Sequence, residues 1–224
     1  YILTGSGFVD GEGCKDIRVE GEQLLAGSSA NRIEYELADG TLAGNYEITV
    51  VDGTLTVECA ALTINNSDQT VVYGDSPETQ WSFTDHCGNT VTVVATIDGD
   101  RSSGGYWTVA GEHCITVVNV TVTDRDGRNV SSCYEIDASR IADLTVTPAE
   151  LAVHRDGADK TYDATVNGEY EFRLEGVLTG DRIDYAKGEA LFDNAHVGTD
   201  KSLTISGDRI SGVDLANYRI KYVD

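Results

Sequence analysis

Apolar and polar residues alternate along most of this chain, with a period of two. Ile17 and Val19 alternate with Asp16, Arg18 and Glu20, and Ile33, Tyr35 and Leu37 alternate with Arg32, Glu34 and Glu36. The same beat returns at Tyr170, Phe172 and Leu174 between Glu171, Arg173 and Glu175, and at Tyr218, Ile220 and Tyr222 around Arg219 and Lys221. Successive side chains of a strand point to opposite faces, so each run offers one face to a core and one to water. Residues 90–97 and 115–123 read as further strands, rich in Val and Thr. In the second of these the apolar phase slips between Val117 and Val118, which predicts a bulge or a strand that changes faces. Asp39-Gly40, Asp52-Gly53 and Asp124-Arg125-Asp126-Gly127 predict turns, because Gly accepts positive φ and Asp bonds its own backbone. The Gly- and Ser-rich residues 98–105 predict an exposed loop. Helical periodicity is absent, so the expected class is all-β.

A longer period is laid over the short one. Asn45-Tyr46-Glu47-Ile48 returns as Cys133-Tyr134-Glu135-Ile136 and as Asn217-Tyr218-Arg219-Ile220, with the tyrosines 88 and 84 residues apart. Gly53-Thr54-Leu55-Thr56-Val57 is echoed by Asp143-Leu144-Thr145-Val146. Ala26-Gly27-Ser28, Ala110-Gly111-Glu112 and Val197-Gly198-Thr199 keep the same spacing, and Val72-Tyr73-Gly74-Asp75 is matched by Thr161-Tyr162-Asp163-Ala164. Markers that recur in one order predict a tandem array of small domains. The expected units are residues 1–58, 59–147 and 148–224, each a small β-sandwich, Ig-like or β-grasp-like domain. Alternation fixes faces but not strand order, so it does not choose between sandwich and grasp. The connections at residues 57–60 and 146–149 are short and lack a flexible Gly/Ser linker, which predicts an end-to-end rod. The first unit lacks a counterpart of Tyr73 and Tyr162, and the last stops before a counterpart of Leu55-Thr56-Val57. With no methionine at position 1, this predicts a processed product or a window of a longer protein.

Composition narrows the class. A unit of this size buries only about 60–65% of its unfolded surface, so each core is modest. The net charge is −22, with 38 acidic and 16 basic residues. Such a chain repels phosphate backbones and anionic lipid, so nucleic acid is not an expected partner. No apolar run is long enough to span a bilayer, and no direct membrane insertion is expected.

Five cysteines, Cys14, Cys59, Cys87, Cys114 and Cys133, include four within the middle unit. In an oxidising compartment those four predict disulfides, with three pairings open; Cys87 with Cys114, which flank strands of one unit, is preferred. His86-Cys87 and His113-Cys114 together offer four zinc ligands. Neighbours in a strand face opposite ways, however, and the usual C-x-x-C spacing is absent, so zinc is not expected. Asp98, Asp100, Asp124 and Asp126 are candidate calcium ligands in acidic loops, although Asp-Gly turns also arise from backbone conformation alone. Tyr106 and Trp107, beside the loop at 98–105, are candidates for stacking on a sugar; exposure of Trp107 would favour binding, and burial a purely structural role. Asn65, Asn119 and Asn129 open glycosylation-type triplets. No nucleophile elbow or phosphate-cradling loop is present, and an enzyme is not expected.

The ordered markers, a tyrosine followed by glycine or aspartate, then alanine-glycine, then asparagine-tyrosine-x-isoleucine and glycine-threonine-leucine-threonine-valine, resemble the MBG and YDG repeat families. These are tandem all-β modules in the long stalks of large bacterial surface proteins and adhesins. The resemblance is clearest over residues 21–57 and 144–218. It implies an extracellular, cell-surface stalk segment with no catalytic residues, whose partners are neighbouring repeats and a host glycan or mucin. By comparison with surface rods that carry Lys–Asn isopeptide bonds, Lys160 and Lys201 are candidates for such a bond. Self-assembly into a filament by strand addition is a further expectation, drawn from the missing strands at the two ends.

Overall fold

The computed structural model describes residues 2, 4, 5 and 7–223. Eighteen strands and three short 3-10 turns make up its regular structure, with no α-helix among the described residues. In chain order the strands are β1 (Cys14–Glu20), β2 (Gly27–Leu37), β3 (Gly53–Val57), β4 (Ala60–Thr63), β5 (Gln69–Val72) and β6 (Gln80–Thr84). There follow β7 (Thr90–Ile97), β8 (Gly111–Thr123), β9 (Tyr134–Asp137), β10 (Ala142–Thr147), β11 (Ala149–Gly157) and β12 (Asn167–Gly168). The last six are β13 (Tyr170–Glu175), β14 (Asp184–Ala186), β15 (Glu189–Phe192), β16 (Leu203–Ser206), β17 (Arg209–Ser211) and β18 (Tyr218–Val223). The all-β expectation holds.

The chain forms two compact units. The first comprises Tyr1–Ile64, Ser82–Thr92 and Val120–Ala138; the second comprises Asn65–Trp81, Val93–Asn119 and Ser139–Asp224. Residues 59–147, one repeat by sequence, therefore contribute to both.

In the first unit β1, β2 and β3 form an antiparallel sheet. β4 pairs in parallel with β9, Ala60 opposite Tyr134 through Thr63 opposite Asp137. The alternating faces are only half covered, since Val19 is 44% and Tyr35 40% exposed. Asp39-Gly40 turns the chain as expected, with Gly40 at φ 91° and the Thr41 N–H donating to the Ala38 carbonyl. Asp52-Gly53 does not. Gly53 is the first residue of β3, and Asp52 instead accepts the Ile33 N–H at 3.0 Å. Asp124 caps its own turn by accepting the N–H groups of Asp126 and Arg128, with Gly127 at φ 82°.

The second unit holds the larger core. β10 lies between β5, parallel to it, and β8, antiparallel. β11 lies between β13, antiparallel, and β18, parallel. β12, β15 and β16 form a small antiparallel sheet, and β14 pairs with β17. Leu144, Ile115, Leu151, Ala142, Val146, Tyr73 and Tyr218 are buried together, with Trp81 and Trp107 packed against them. Every second residue of β10 (Ala142, Leu144, Val146) faces inward, which is the period-two rule at full burial. The predicted slip in β8 is visible in its burial, which passes from Ile115 and Val117 to Val120 and Val122 across exposed Val118 and Asn119.

Candidate functional site

The recurring tyrosine marks one recurring piece of geometry. In each of its three occurrences a 3-10 turn (Ala43–Asn45, Ser131–Cys133, Leu215–Asn217) ends on the tyrosine, whose N–H bonds back to the first turn carbonyl. The backbone then runs extended, which aims the phenol away from the turn. Each hydroxyl donates to a carboxylate: Tyr46 to Glu12, Tyr134 to Asp85 and Tyr218 to Asp181, all at 2.5 Å. Each also accepts an N–H, from Val9 at 3.2 Å, from the Asn89 carboxamide at 2.7 Å and from Leu178 at 2.9 Å. A phenol that donates and accepts at once has its main hydrogen-bonding capacity filled, so it fixes a loop to a strand without an unpaired polar group.

The electrostatics follow. Burial, then the bond to the carboxylate, pushes the pKa of Tyr218 and Tyr134 up; for Tyr46 the bond to Glu12 leads. Burial opposes ionisation of Asp85, but the Tyr134 hydroxyl and the N–H groups of Asn89 and Cys87 outweigh it and hold its pKa below the usual value. In the second unit Asp181 also accepts the Tyr73 hydroxyl at 2.6 Å. Two of the repeat's marker tyrosines, from different repeats of the sequence, thus meet on one carboxylate oxygen, their rings edge to face at 5.4 Å. The other oxygen of Asp181 is buried without a partner.

The loop that carries Tyr106 and Trp107 is built against the second unit's interior. Asp214 and Asn217, both 4% exposed, accept the N–H groups of Ser103 and Ala110. Burial raises the pKa of Asp214, and the N–H groups of Arg182 and Ser103 more than reverse this. The loop at 98–105 is exposed as the Gly and Ser content predicts, apart from buried Ser102, and Arg101 bridges buried Thr108 beyond it. Trp107 packs partly buried on the core, its indole N–H enclosed and unpartnered. Tyr106 is 61% exposed. Its ring lies on two glycines so closely that a Cβ would come within 2.6 Å of it at Gly104 and 2.8 Å at Gly180.

Among the described residues no three of the four candidate calcium ligands have converging ligand atoms. Asp98 accepts the Cys114 N–H, Asp124 caps its turn and Asp126 pairs with Arg128. Among the described residues the one group of three with converging ligand atoms is Asp85, His86 and Cys87, which lie in the β6–β7 turn rather than in a strand. Asp85 is already committed to Tyr134 and two backbone N–H groups. His113 bonds the Val109 carbonyl. All five cysteines are free thiols.

A cavity of about 670 Å³ in the second unit, between the loops at 157–165 and 192–203, escaped the sequence reading. Two lysines organise it. Lys160 Nζ bonds the Thr165 and Asn167 carbonyls, the Thr165 hydroxyl and Asp163, and Lys201 Nζ bonds the Asn194 and His196 carbonyls, Asn194 Oδ1 and Asp193. An ammonium with several loop oxygens around it works as a brace, tying each loop into one shape. Hydrogen bonds from Lys160 and Thr165 hold the Asp163 pKa down to about 2. The sequence singled out both lysines only as candidates for a Lys–Asn bond, and nothing in their spacing pointed to a cavity.

No helix among the described residues is long and apolar enough to cross a membrane. No curated protein and no solved structure matches the chain. Residues 147–224, which hold the braced cavity, β11, β18 and the Tyr218 latch, match the YDG domain.

Proposed function

We propose that this chain is a load-bearing stalk segment of a large secreted or cell-surface bacterial adhesin. On this reading it is a rod of three β repeats, at 1–58, 59–147 and 148–224, the middle one contributing to both compact units, that projects a distal functional region and carries no catalysis of its own. The observation that carries this reading is the direction of strand pairing. Early and late strands lie side by side and parallel in β4–β9, β5–β10 and β11–β18. When the start of the first strand and the end of the second are pulled apart, the rungs of a parallel pair are loaded together, in shear, rather than opened one by one. The tyrosine latches add a fixing point at the base of β9 and β18. The net charge of −22 keeps neighbouring stalks apart. Small-angle scattering tests the rod. A compact particle of this length has a radius of gyration of about 17 Å; the stalk reading requires a clearly larger value and an elongated distance distribution, and a value near the compact one contradicts it.

A second reading, a glycan-binding module, is favoured by Tyr106 alone. One face of its ring is braced on Gly104 and Gly180 while the side chain stays exposed, the arrangement of a stacking platform. Host glycan or mucin is the partner on this reading. Glycan-array binding that is lost in Tyr106→Ala supports it, and binding unchanged by that substitution removes it.

A further inference from the structure

We propose that Asp85, His86 and Cys87 form a zinc site in the β6–β7 turn. The period-two argument against zinc holds only within a strand, and these residues lie beyond the end of one. The Gly88 N–H bonds the Asp85 carbonyl at 3.1 Å, and Gly88 takes φ 83°. In this turn consecutive side chains converge. One carboxylate oxygen of Asp85, one ring nitrogen of His86 and the Cys87 Sγ all lie within 4.8 Å of one another. The ligands of a tetrahedral zinc stand roughly 3.3–3.7 Å apart, given bonds of about 2.0–2.3 Å. His86 and Cys87 are both exposed, so rotation of their side chains can close that gap.

Asp85 is already held as a metal-bound carboxylate is. Its Oδ1 accepts the N–H groups of Cys87 and Asn89 at 2.9 and 2.8 Å, and its Oδ2 accepts the Tyr134 hydroxyl. An ionised carboxylate offers about four lone-pair sites, so these three bonds leave one on Oδ2 for an ion. Outer partners of this kind fix the orientation of a ligand and tighten the site. The Asn89 carboxamide donates in turn to the Tyr134 oxygen at 2.7 Å, which fixes the phenol. Thiolate, imidazole and carboxylate are all zinc ligands, and three of them leave a fourth position for water or a partner's donor atom. The ion has to overcome the Arg125 guanidinium, which lies against Gly88. All of these residues belong to the first compact unit. His113 and Cys114, the other half of the four-ligand set weighed from the sequence, belong to the second, where His113 bonds the Val109 carbonyl. Bound zinc would fasten the β6–β7 turn to β9 through Tyr134 and so reinforce that latch. This inference stands apart from the stalk reading.

The test is a Co2+ titration of the whole chain, reduced and kept free of oxygen, followed by absorption. The expected result is a thiolate-to-cobalt charge-transfer band with tetrahedral d–d bands, saturating at one equivalent and abolished by zinc. Cys87→Ser should remove the charge-transfer band. Changing the other four cysteines to Ser should leave it. Tyr134→Phe keeps all three ligands but should weaken binding about 10–100-fold, the effect of losing an outer partner. Zinc should also raise the urea midpoint of the native chain and leave that of Cys87→Ser where it was, which separates binding from folding. A charge-transfer band that persists in Cys87→Ser, or no such band at saturating Co2+, overturns the proposal.

Discussion

The Tyr218 hydroxyl carries two bonds at once, donating to Asp181 and accepting from the Leu178 N–H, in a side chain only 7% exposed. Tyr218→Phe keeps the ring but leaves that N–H without its partner and thins the donors around a carboxylate that already has one oxygen unpaired. The expected loss is about 1–3 kcal/mol, read as a lower urea midpoint. Tyr46→Phe, at a far less enclosed latch, should shift the midpoint less; an equal or larger shift would sink the account of how the latches work. The tyrosine pKa values add a pH dependence. Because the folded-state values of Tyr73 and Tyr218 are raised, their contribution is present below the ordinary tyrosine value of about 10 and is lost as pH rises beyond it. Asp163 behaves in the opposite sense. Its folded pKa is depressed to about 2, so its contribution is present above the ordinary aspartate value of about 3.9 and fades as pH falls through 2. Removing the brace in Lys160→Gln should move the Asp163 titration, followed by carboxyl NMR, up toward that ordinary value. Next to it, Ala164 sits at φ 62°. Relief of the left-handed conformation is worth about 1–2 kcal/mol, more than the ~0.4–1 kcal/mol that a glycine adds in unfolded-chain freedom. Ala164→Gly is therefore expected to raise the melting temperature, and a lower one contradicts this reading of the loop.

Strands were the easiest elements to read. β7 spans the residues that the Val and Thr run predicts, and the change of face in β8 follows the slipped apolar phase. Asp52-Gly53 was misread because a turn dipeptide is a local signal. What decides its place is the distant Ile33 N–H, which Asp52 accepts, and the pairing of Gly53 with Asn31. The markers themselves were visible as repeats, but their purpose was not. The carboxylate partner of each tyrosine lies 34 to 49 residues upstream, with no fixed spacing, among 38 acidic residues. The exposure of the loop at 98–105 was legible in its composition; its bond from Ser103 to Asp214, and that of nearby Ala110 to Asn217, more than a hundred residues away, was not. At this scale β10 carries the most weight in the second unit. Leu144→Ala, at a fully buried position between β5 and β8, should cost about 2–5 kcal/mol in urea unfolding. A loss under 1 kcal/mol would mean that the packing of this core has been misjudged.

For the molecule as a whole, what the sequence carried best was its repetition, and the repetition returns as geometry, the same turn, tyrosine and carboxylate three times over. Strand direction was out of reach, because side-chain alternation is identical in parallel and antiparallel pairs. On the proposed stalk reading, that direction is what makes a repeat load-bearing. The most direct test is single-molecule stretching of the chain held at its two ends, compared with the same chain held through cysteines introduced on β11 and β18 so that their rungs open one at a time. The account predicts discrete unfolding events at clearly higher force in the end-to-end geometry than in the unzipping one. Equal forces in the two geometries, or a chain that lengthens end to end without resolved events, would contradict it.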